Sequence, residues 1–80
     1  MPLYKITWDF NKCTSYVVRH AVVHYNPCGT TTVRHLSTIE RVCLMRKAGA
    51  LGSVDKVVEP ERKMFWLVFA PALRTMGVIK

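Results

Sequence analysis

The run "KMFWLVFA", residues 63–70, is the feature that most constrains the fold of this 80-residue chain. Read as a strand, it is apolar on both faces, with Phe65, Leu67 and Phe69 on one and Met64, Trp66 and Val68 on the other. Such a strand belongs in a sheet that is covered on both sides. Pro71 ends the run, and residues 71–80 form a tail without an assigned structure.

Three other segments also predict strands. In "LYKITWDF", residues 3–10, polar and apolar residues alternate with a period of two, which indicates a half-buried strand. Residues 15–36 are interpreted as a hairpin with its turn at residues 26–29, because "NPCG" combines a locally accepting Asn, a Pro with fixed φ and a flexible Gly. Residues 54–58, within "SVDKVV", predict a further strand.

The hairpin turn also predicts a register. If Asn26 lies opposite Thr30, then His24 faces Thr32 and His20 faces Leu36, while His35 points to the other face of the sheet. A turn tighter by one residue would instead set His20 against His35.

The sequence "STIE" predicts the start of a helix over residues 38–48. Ser37 can cap the free amides, and Glu40 can reach back to the Ser37 amide, which together form a capping box. The pattern places Leu44 on the exposed side beside Arg41, and a further set on the buried side: Ile39, Val42, Cys43 and Met45. The predicted fold is α+β, a small antiparallel sheet with one helix packed on a face, in the order β-β-β-α-β-β.

Composition predicts a single domain over residues 1–80. Half of the residues are hydrophobic, which disfavours disorder, although the net charge is +7. The three cysteines are odd in number and far apart, unlike a disulfide scaffold, and the N-terminus lacks the pattern of a signal peptide. The longest apolar run is about half of the ~20 residues that a membrane helix needs. We therefore expect a cytoplasmic protein without a membrane segment.

The histidines and cysteines do not predict a metal or catalytic site. Zinc ligands usually come in close pairs, and the chain has no Cys-x-x-Cys. On a strand, His20 and His24 would lie about 13 Å apart, too far for one ion. Cys28, at the turn, has no evident base. We expect no metal, no cofactor and no enzymatic activity, and keep a metal-stabilised hairpin as a third alternative.

Apolar residues predict a binding surface instead. If the second face of the 63–70 strand is not covered by the tail, it meets either a second copy of the chain, as a homodimer, or a protein partner. The candidate partner-binding residues are Met64, Trp66, Val68, Leu44, Arg41 and Lys47. The alternative is direct binding of nucleic acid by the basic hairpin, through Arg19, His20, His24 and Arg34.

In size and layout the chain resembles small phage or mobile-element proteins that block a host machine, anti-CRISPR proteins among them. The resemblance covers layout alone, without a shared motif, and no residue roles are taken from it. It implies a viral or phage accessory protein that acts as an inhibitor. The first hypothesis is thus a non-enzymatic protein-binding module that inhibits or modulates a macromolecular machine by steric occlusion, for example a nucleic-acid-handling complex with acidic surfaces.

Overall fold

The computed structural model describes residues 2–11, 13–26 and 29–80. Over these residues the elements follow the order β-β-β-β-α-β-α. They are β1 (Leu3–Trp8), β2 (Thr14–Val18), β3 (Ala21–Tyr25), β4 (Thr32–His35), α1 (Thr38–Leu51), β5 (Gly52–Lys56) and α2 (Glu61–Thr75). The strands form one antiparallel sheet in the spatial order β4-β3-β2-β1-β5. The predicted α+β class is confirmed, and the element order differs from the prediction in two places.

The first difference is that residues 15–25 form two strands rather than one. Val18 pairs with Ala21, so Arg19 and His20 alone make the turn between β2 and β3. Arg19 has φ 51°, in the left-handed region that such a tight turn requires. The segment contains no Gly, Asn or Pro to announce a turn, which is why its many β-branched residues predict one continuous strand.

The second difference is that residues 63–70 are not a strand. They belong to α2, which continues through Pro71 to Thr75, so the first part of the predicted tail is helical as well. A short apolar run is compatible with either structure, and here the helical period places Phe65, Phe69 and Leu73 on the sheet. As a helix, the run also satisfies its backbone hydrogen bonds internally. Neither helix of the described residues is long and apolar enough to cross a membrane.

The hairpin register follows the prediction. His24 pairs with Thr32, and the Leu36 amide donates a 2.7 Å hydrogen bond to the His20 carbonyl. Ala21 pairs with His35, so His20 and His35 are not opposite each other. Within the predicted turn, the Gly29 amide donates to the Asn26 carbonyl at 3.1 Å. Residues 27 and 28, and with them the prediction for Cys28, lie outside the described residues.

Helix α1 begins as predicted. The Ser37 hydroxyl accepts from the Glu40 amide at 3.1 Å, and the Ser37 amide donates to the Glu40 carboxylate at 3.0 Å. The helix passes through Gly49 and ends at Leu51, three residues later than predicted. Strand β5 follows at once, pairs with β1 and begins earlier than the predicted 54–58.

Each face of the sheet carries one helix. Neighbouring strand residues alternate between the two sides, so Val17 and Val22 pack with α1 while Val18 and Val23 pack with α2. On the α2 side, Val78 and Ile79 also pack against this core. The second face is therefore covered by the chain itself, through α2 and the residues that follow it.

Candidate functional site

The outer side of α2 carries a stripe of large apolar side chains. Phe65 is buried against the sheet, whereas Met64, Leu67 and Val68 are 62%, 69% and 63% exposed. Their spacing of three and four residues places them side by side on the helix surface. Exposed Pro71 continues the same side one turn further. We call Met64, Leu67, Val68 and Pro71 the α2 stripe.

Basic residues and a cavity border this stripe. Lys63 and Arg74 are exposed and lie beside Leu67, and all three line a cavity of about 610 Å³ that Trp66 and Ile79 complete. Glu59 is the one carboxylate in that lining. The flank of the stripe near Leu67 is therefore predominantly positive.

The other flank of the stripe is a mostly apolar groove, with Glu61 as the charged residue in its lining. Met64 and Val68 form one wall of a cavity of about 240 Å³, and its floor is aromatic: Tyr16, Tyr25, Phe65 and Phe69. The ring centroids of Tyr16 and Phe65 are 4.9 Å apart, and those of Tyr25 and Phe69 are 6.4 Å apart. The exposed stripe therefore continues into a partly buried aromatic cluster.

A polar contact fixes the first turn of α2 to the sheet. The Glu61 carboxylate accepts from the Tyr16 hydroxyl at 2.8 Å and pairs with the Lys5 ammonium at 2.9 Å. Burial, together with the hydrogen bond to Glu61, raises the pKa of Tyr16 to about 12. The Lys5 ammonium, with help from Tyr16, lowers the pKa of Glu61. This contact connects the first turn of α2 to β1 and β2, beside the stripe.

The structure divides the predicted partner-binding residues between opposite sides of the sheet. Met64 and Val68 lie together in the α2 stripe, while half-buried Trp66 packs toward the core with the Arg62 guanidinium 5.9 Å from its ring centroid. The remaining three residues of the prediction belong to α1, across the sheet: Leu44, Arg41 and Lys47. They are not part of the same surface.

The prediction that Leu44 is exposed is wrong. Leu44 packs with Met45 and Ala48 against the α1 side of the sheet. Of the residues predicted to be buried, Ile39, Val42 and Cys43 are exposed. Arg41 is half-buried, and its Nε donates to the Arg19 carbonyl at 3.0 Å. Of the three α1 candidates, only Lys47 is on the exposed surface.

The four predicted nucleic-acid-binding residues also do not form one surface. Arg19 and His20 are exposed in the β2–β3 turn. Arg34 donates to the Glu40 carboxylate at 3.0 Å and is thereby partly neutralised. His24 points to the α1 side, half-buried, with its Nδ1 2.8 Å from the Ser15 hydroxyl.

Ser15 and His24 form a buried network with Trp8. The Ser15 hydroxyl accepts from Trp8 Nε1 at 2.9 Å and lies against His24, while Ser15 itself is 1% exposed. A serine nucleophile needs access to its substrate as well as a neighbouring base. Because Trp8 and the sheet cover this hydroxyl, the contact supports the packing of β2 against β1 and β3.

This network predicts a dependence of stability on pH. Burial, followed by the charge of Arg34, lowers the pKa of His24 below its ordinary value of 6.5. The unfolded chain therefore binds more protons at this site than the folded chain, and the free energy of unfolding should be highest above pH 6.5 and fall as the pH drops toward the folded-state pKa. Urea unfolding between pH 8 and 5 measures this effect, with tryptophan emission as an additional readout.

The matched control for this prediction is a second histidine. His24→Gln should flatten the dependence on pH between 8 and 5, whereas His35→Gln, outside the Trp8–Ser15–His24 network, should keep it. Glu40 and Glu61 do not confuse the result, because the pKa of each carboxyl is lowered from 4.5 and they titrate below this range. An equal slope in wild type and His24→Gln would contradict the assignment.

No group of three or more His, Cys, Asp or Glu side chains is gathered as a metal site within the described residues. The hairpin register explains this for the histidines, since His24 lies on the α1 side of the sheet and His35 on the α2 side. The expectation that the chain binds no metal or cofactor stays a prediction.

Comparison with known protein families, curated proteins and solved structures finds no match to this chain.

Proposed function

We propose that this chain is a non-enzymatic protein-binding module that docks through the α2 stripe. The observation that carries the proposal is the adjacency of Met64, Leu67 and Val68, each more than 60% exposed. Burying one such side chain contributes about 1.5–3 kcal/mol. A partner that covers all three gains a compact apolar anchor of the kind found at the centre of protein interfaces.

The charge around the stripe selects the chemistry of the partner. Lys63 and Arg74 border Leu67, and the whole chain has a net charge of +7. An apolar patch with acidic residues at its rim complements this surface, and the opposite charges accelerate association. The proposed partner is thus an acidic protein surface with exposed apolar side chains.

The rigid support of the stripe favours action by occlusion. Glu61 anchors the helix to Tyr16 and Lys5, and Phe65 and Phe69 hold it on the sheet, so little conformational freedom is lost on binding. A preorganised body of about 32 × 27 × 24 Å covers an area typical of a specific interface. We propose that it inhibits or modulates a macromolecular machine by covering a working surface of that machine.

The test compares capture by variants that differ in one exposed side chain. Tagged wild-type protein, Leu67→Glu and Ile39→Glu are incubated with nuclease-treated lysate, and captured proteins are quantified by mass spectrometry. Ile39 is 77% exposed on α1, so Ile39→Glu introduces the same charge on the opposite side of the sheet. We expect a defined set of acidic proteins that wild type and Ile39→Glu retain and that falls at least about tenfold with Leu67→Glu.

Three results would contradict this function. Equal capture by wild type and Leu67→Glu would exclude the α2 stripe, and loss of the same proteins with Ile39→Glu would indicate a general charge effect. The third is a wild-type dimer that Leu67→Glu converts to a monomer, measured by light scattering, because the stripe would then meet a second copy. Thermal unfolding of each variant verifies that the fold is intact.

A further inference from the structure

A second surface, on another flank of α2, gathers basic side chains around a tryptophan. Arg19, in the β2–β3 turn, lies across a cleft of about 670 Å³ from Arg62 and Trp66 of α2. Residues 77–80 complete the lining and add Lys80. Because α2 advances by 100° per residue, Trp66 and Val68 lie on different flanks. No residue of the α2 stripe lines the cleft, although Trp66 and Ile79 also line the cavity beside Leu67.

Cationic side chains predominate in this cleft. Arg19, Arg62 and Lys80 line it, and the described residues contribute no carboxylate side chain to the lining. A smaller adjoining cavity shares Arg19 and adds His20 and His35. Several cationic groups that converge on one concave surface create a positive potential, and an anion in the cleft would stabilise them.

Backbone geometry fixes the position of Arg19 at the edge of the cleft. Its φ of 51° is one that Gly or Asn adopts at lower cost, and for another residue it is unfavourable by about 1–2 kcal/mol. The Arg41 side chain donates to the Arg19 carbonyl and holds this turn in place. The turn therefore presents the Arg19 side chain at a defined place beside the cleft.

The second arginine is positioned by an aromatic ring. The Arg62 guanidinium is 5.9 Å from the Trp66 ring centroid, a cation–π distance, and Trp66 is half-buried against the core. A guanidinium fork matches the oxygens of a phosphate, and a tryptophan beside it offers a surface on which a base can stack. The cleft has the volume of a small-molecule site, large enough for one nucleotide unit.

We propose that this cleft binds the phosphate groups of single-stranded nucleic acid, with Arg19, Arg62 and Lys80 as phosphate contacts and Trp66 as the aromatic contact. The surface differs from the hairpin set predicted from the sequence. It keeps Arg19, has His20 only in the adjoining cavity, leaves out Arg34 and His24, and adds residues from α2. It does not depend on the function proposed for the α2 stripe.

The test measures binding of a fluorescently labelled eight-nucleotide oligothymidine by anisotropy between 50 and 200 mM salt. The double variant Arg19→Asn/Arg62→Gln removes two charges from the cleft and places at residue 19 an amino acid that accepts positive φ. Arg46→Gln/Lys47→Gln removes two charges from the exposed side of α1 and is the matched control. Thermal unfolding verifies that both variants fold.

We expect the cleft variant to bind at least about tenfold more weakly and to reduce the salt slope by about 1.4, the value for two lost phosphate contacts on a single strand. The control should bind within about threefold of wild type. Quenching of tryptophan emission by the unlabelled oligonucleotide should disappear in Trp66→Phe. Absence of oligonucleotide binding by wild type, or equal weakening by the two double variants, would overturn the proposal.

Two competitors separate nucleic acid from other anions. Adenosine monophosphate that displaces the oligonucleotide at a similar concentration would assign the cleft to a free nucleotide rather than a strand. Displacement by an eight-residue oligoglutamate at an equal concentration would show that the cleft binds anions in general, without preference for nucleic acid. Weak competition by both, at least about tenfold poorer than unlabelled oligothymidine, is the result that supports the proposal.

Discussion

A Gly52→Ala substitution is expected to lower the free energy of unfolding by about 3 kcal/mol, the upper part of the range for overpacking. Gly52 is the first residue of β5 and pairs with Trp8 of β1. A Cβ at this position would lie 2.3 Å from the Thr7 carbonyl oxygen and 3.2 Å from the Trp8 Cα. Both are backbone atoms, so the clash is relieved only if β5 moves away from β1.

Gly49→Ala is the matched control. It lies three residues earlier, and the expected change in the free energy of unfolding has the opposite sign. A Cβ at Gly49 meets nothing within 4 Å, and the residue lies inside α1. Alanine is the better helix former, so this substitution should stabilise the fold by about 0.5–1 kcal/mol. Urea unfolding of the three proteins measures both effects. Equal stability of Gly52→Ala and wild type would show that β5 does not approach β1 this closely.

Local signals were sufficient where the sequence carries turn or cap residues. Ser37 and Glu40 predicted the start of α1, and the Asn26–Gly29 segment predicted the register that sets His24 opposite Thr32. In both cases the hydrogen-bonded groups belong to residues three positions apart. Such interactions can be recognised without knowing the rest of the fold.

The faces of the helices could not be predicted in the same way. Apolar residues surround α1, so Ile39 and Val42 are as plausible on the core side as Leu44 and Met45. In the structure Leu44 packs on the sheet, and in the same orientation of α1 Glu40 contacts Arg34 of β4 and Arg41 contacts the Arg19 carbonyl. These contacts join residues 6 and 22 positions apart.

The sequence identified only some residues of the two candidate surfaces, because these surfaces also depend on which face each helix presents. Met64 and Val68 were identified from their apolar excess, but a strand pattern separates Leu67 from them, whereas a helix brings all three together. Arg62 was not singled out, since it joins Arg19 only through the packing of α2 on the sheet. If the helical period is applied to residues 61–73, Leu67 falls on the same side as Met64 and Val68. That pattern is the signal that could have identified Leu67.

Phe65→Ala is expected to have the largest effect on stability, with a loss of about 4 kcal/mol. Phe65 is 3% exposed, and its ring centroid lies within 5.1 Å of those of Tyr16, Trp66 and Phe69. Truncation leaves a cavity between α2 and the sheet, and for a domain of this size the melting temperature should fall by about 20 °C. Total stability is about 5–15 kcal/mol in most domains, so a large share would be lost.

Leu67→Ala provides the control, because it shortens an apolar side chain of the same helix on its exposed side. It should change the free energy of unfolding by less than about 0.5 kcal/mol. If residues 63–70 were instead a strand, Phe65 and Leu67 would share one face, and the two substitutions would have similar costs. A large difference between them therefore tests the helix directly, and with it the position of Leu67 in the α2 stripe and of Trp66 in the basic cleft. Similar losses would remove the structural basis of both proposed surfaces.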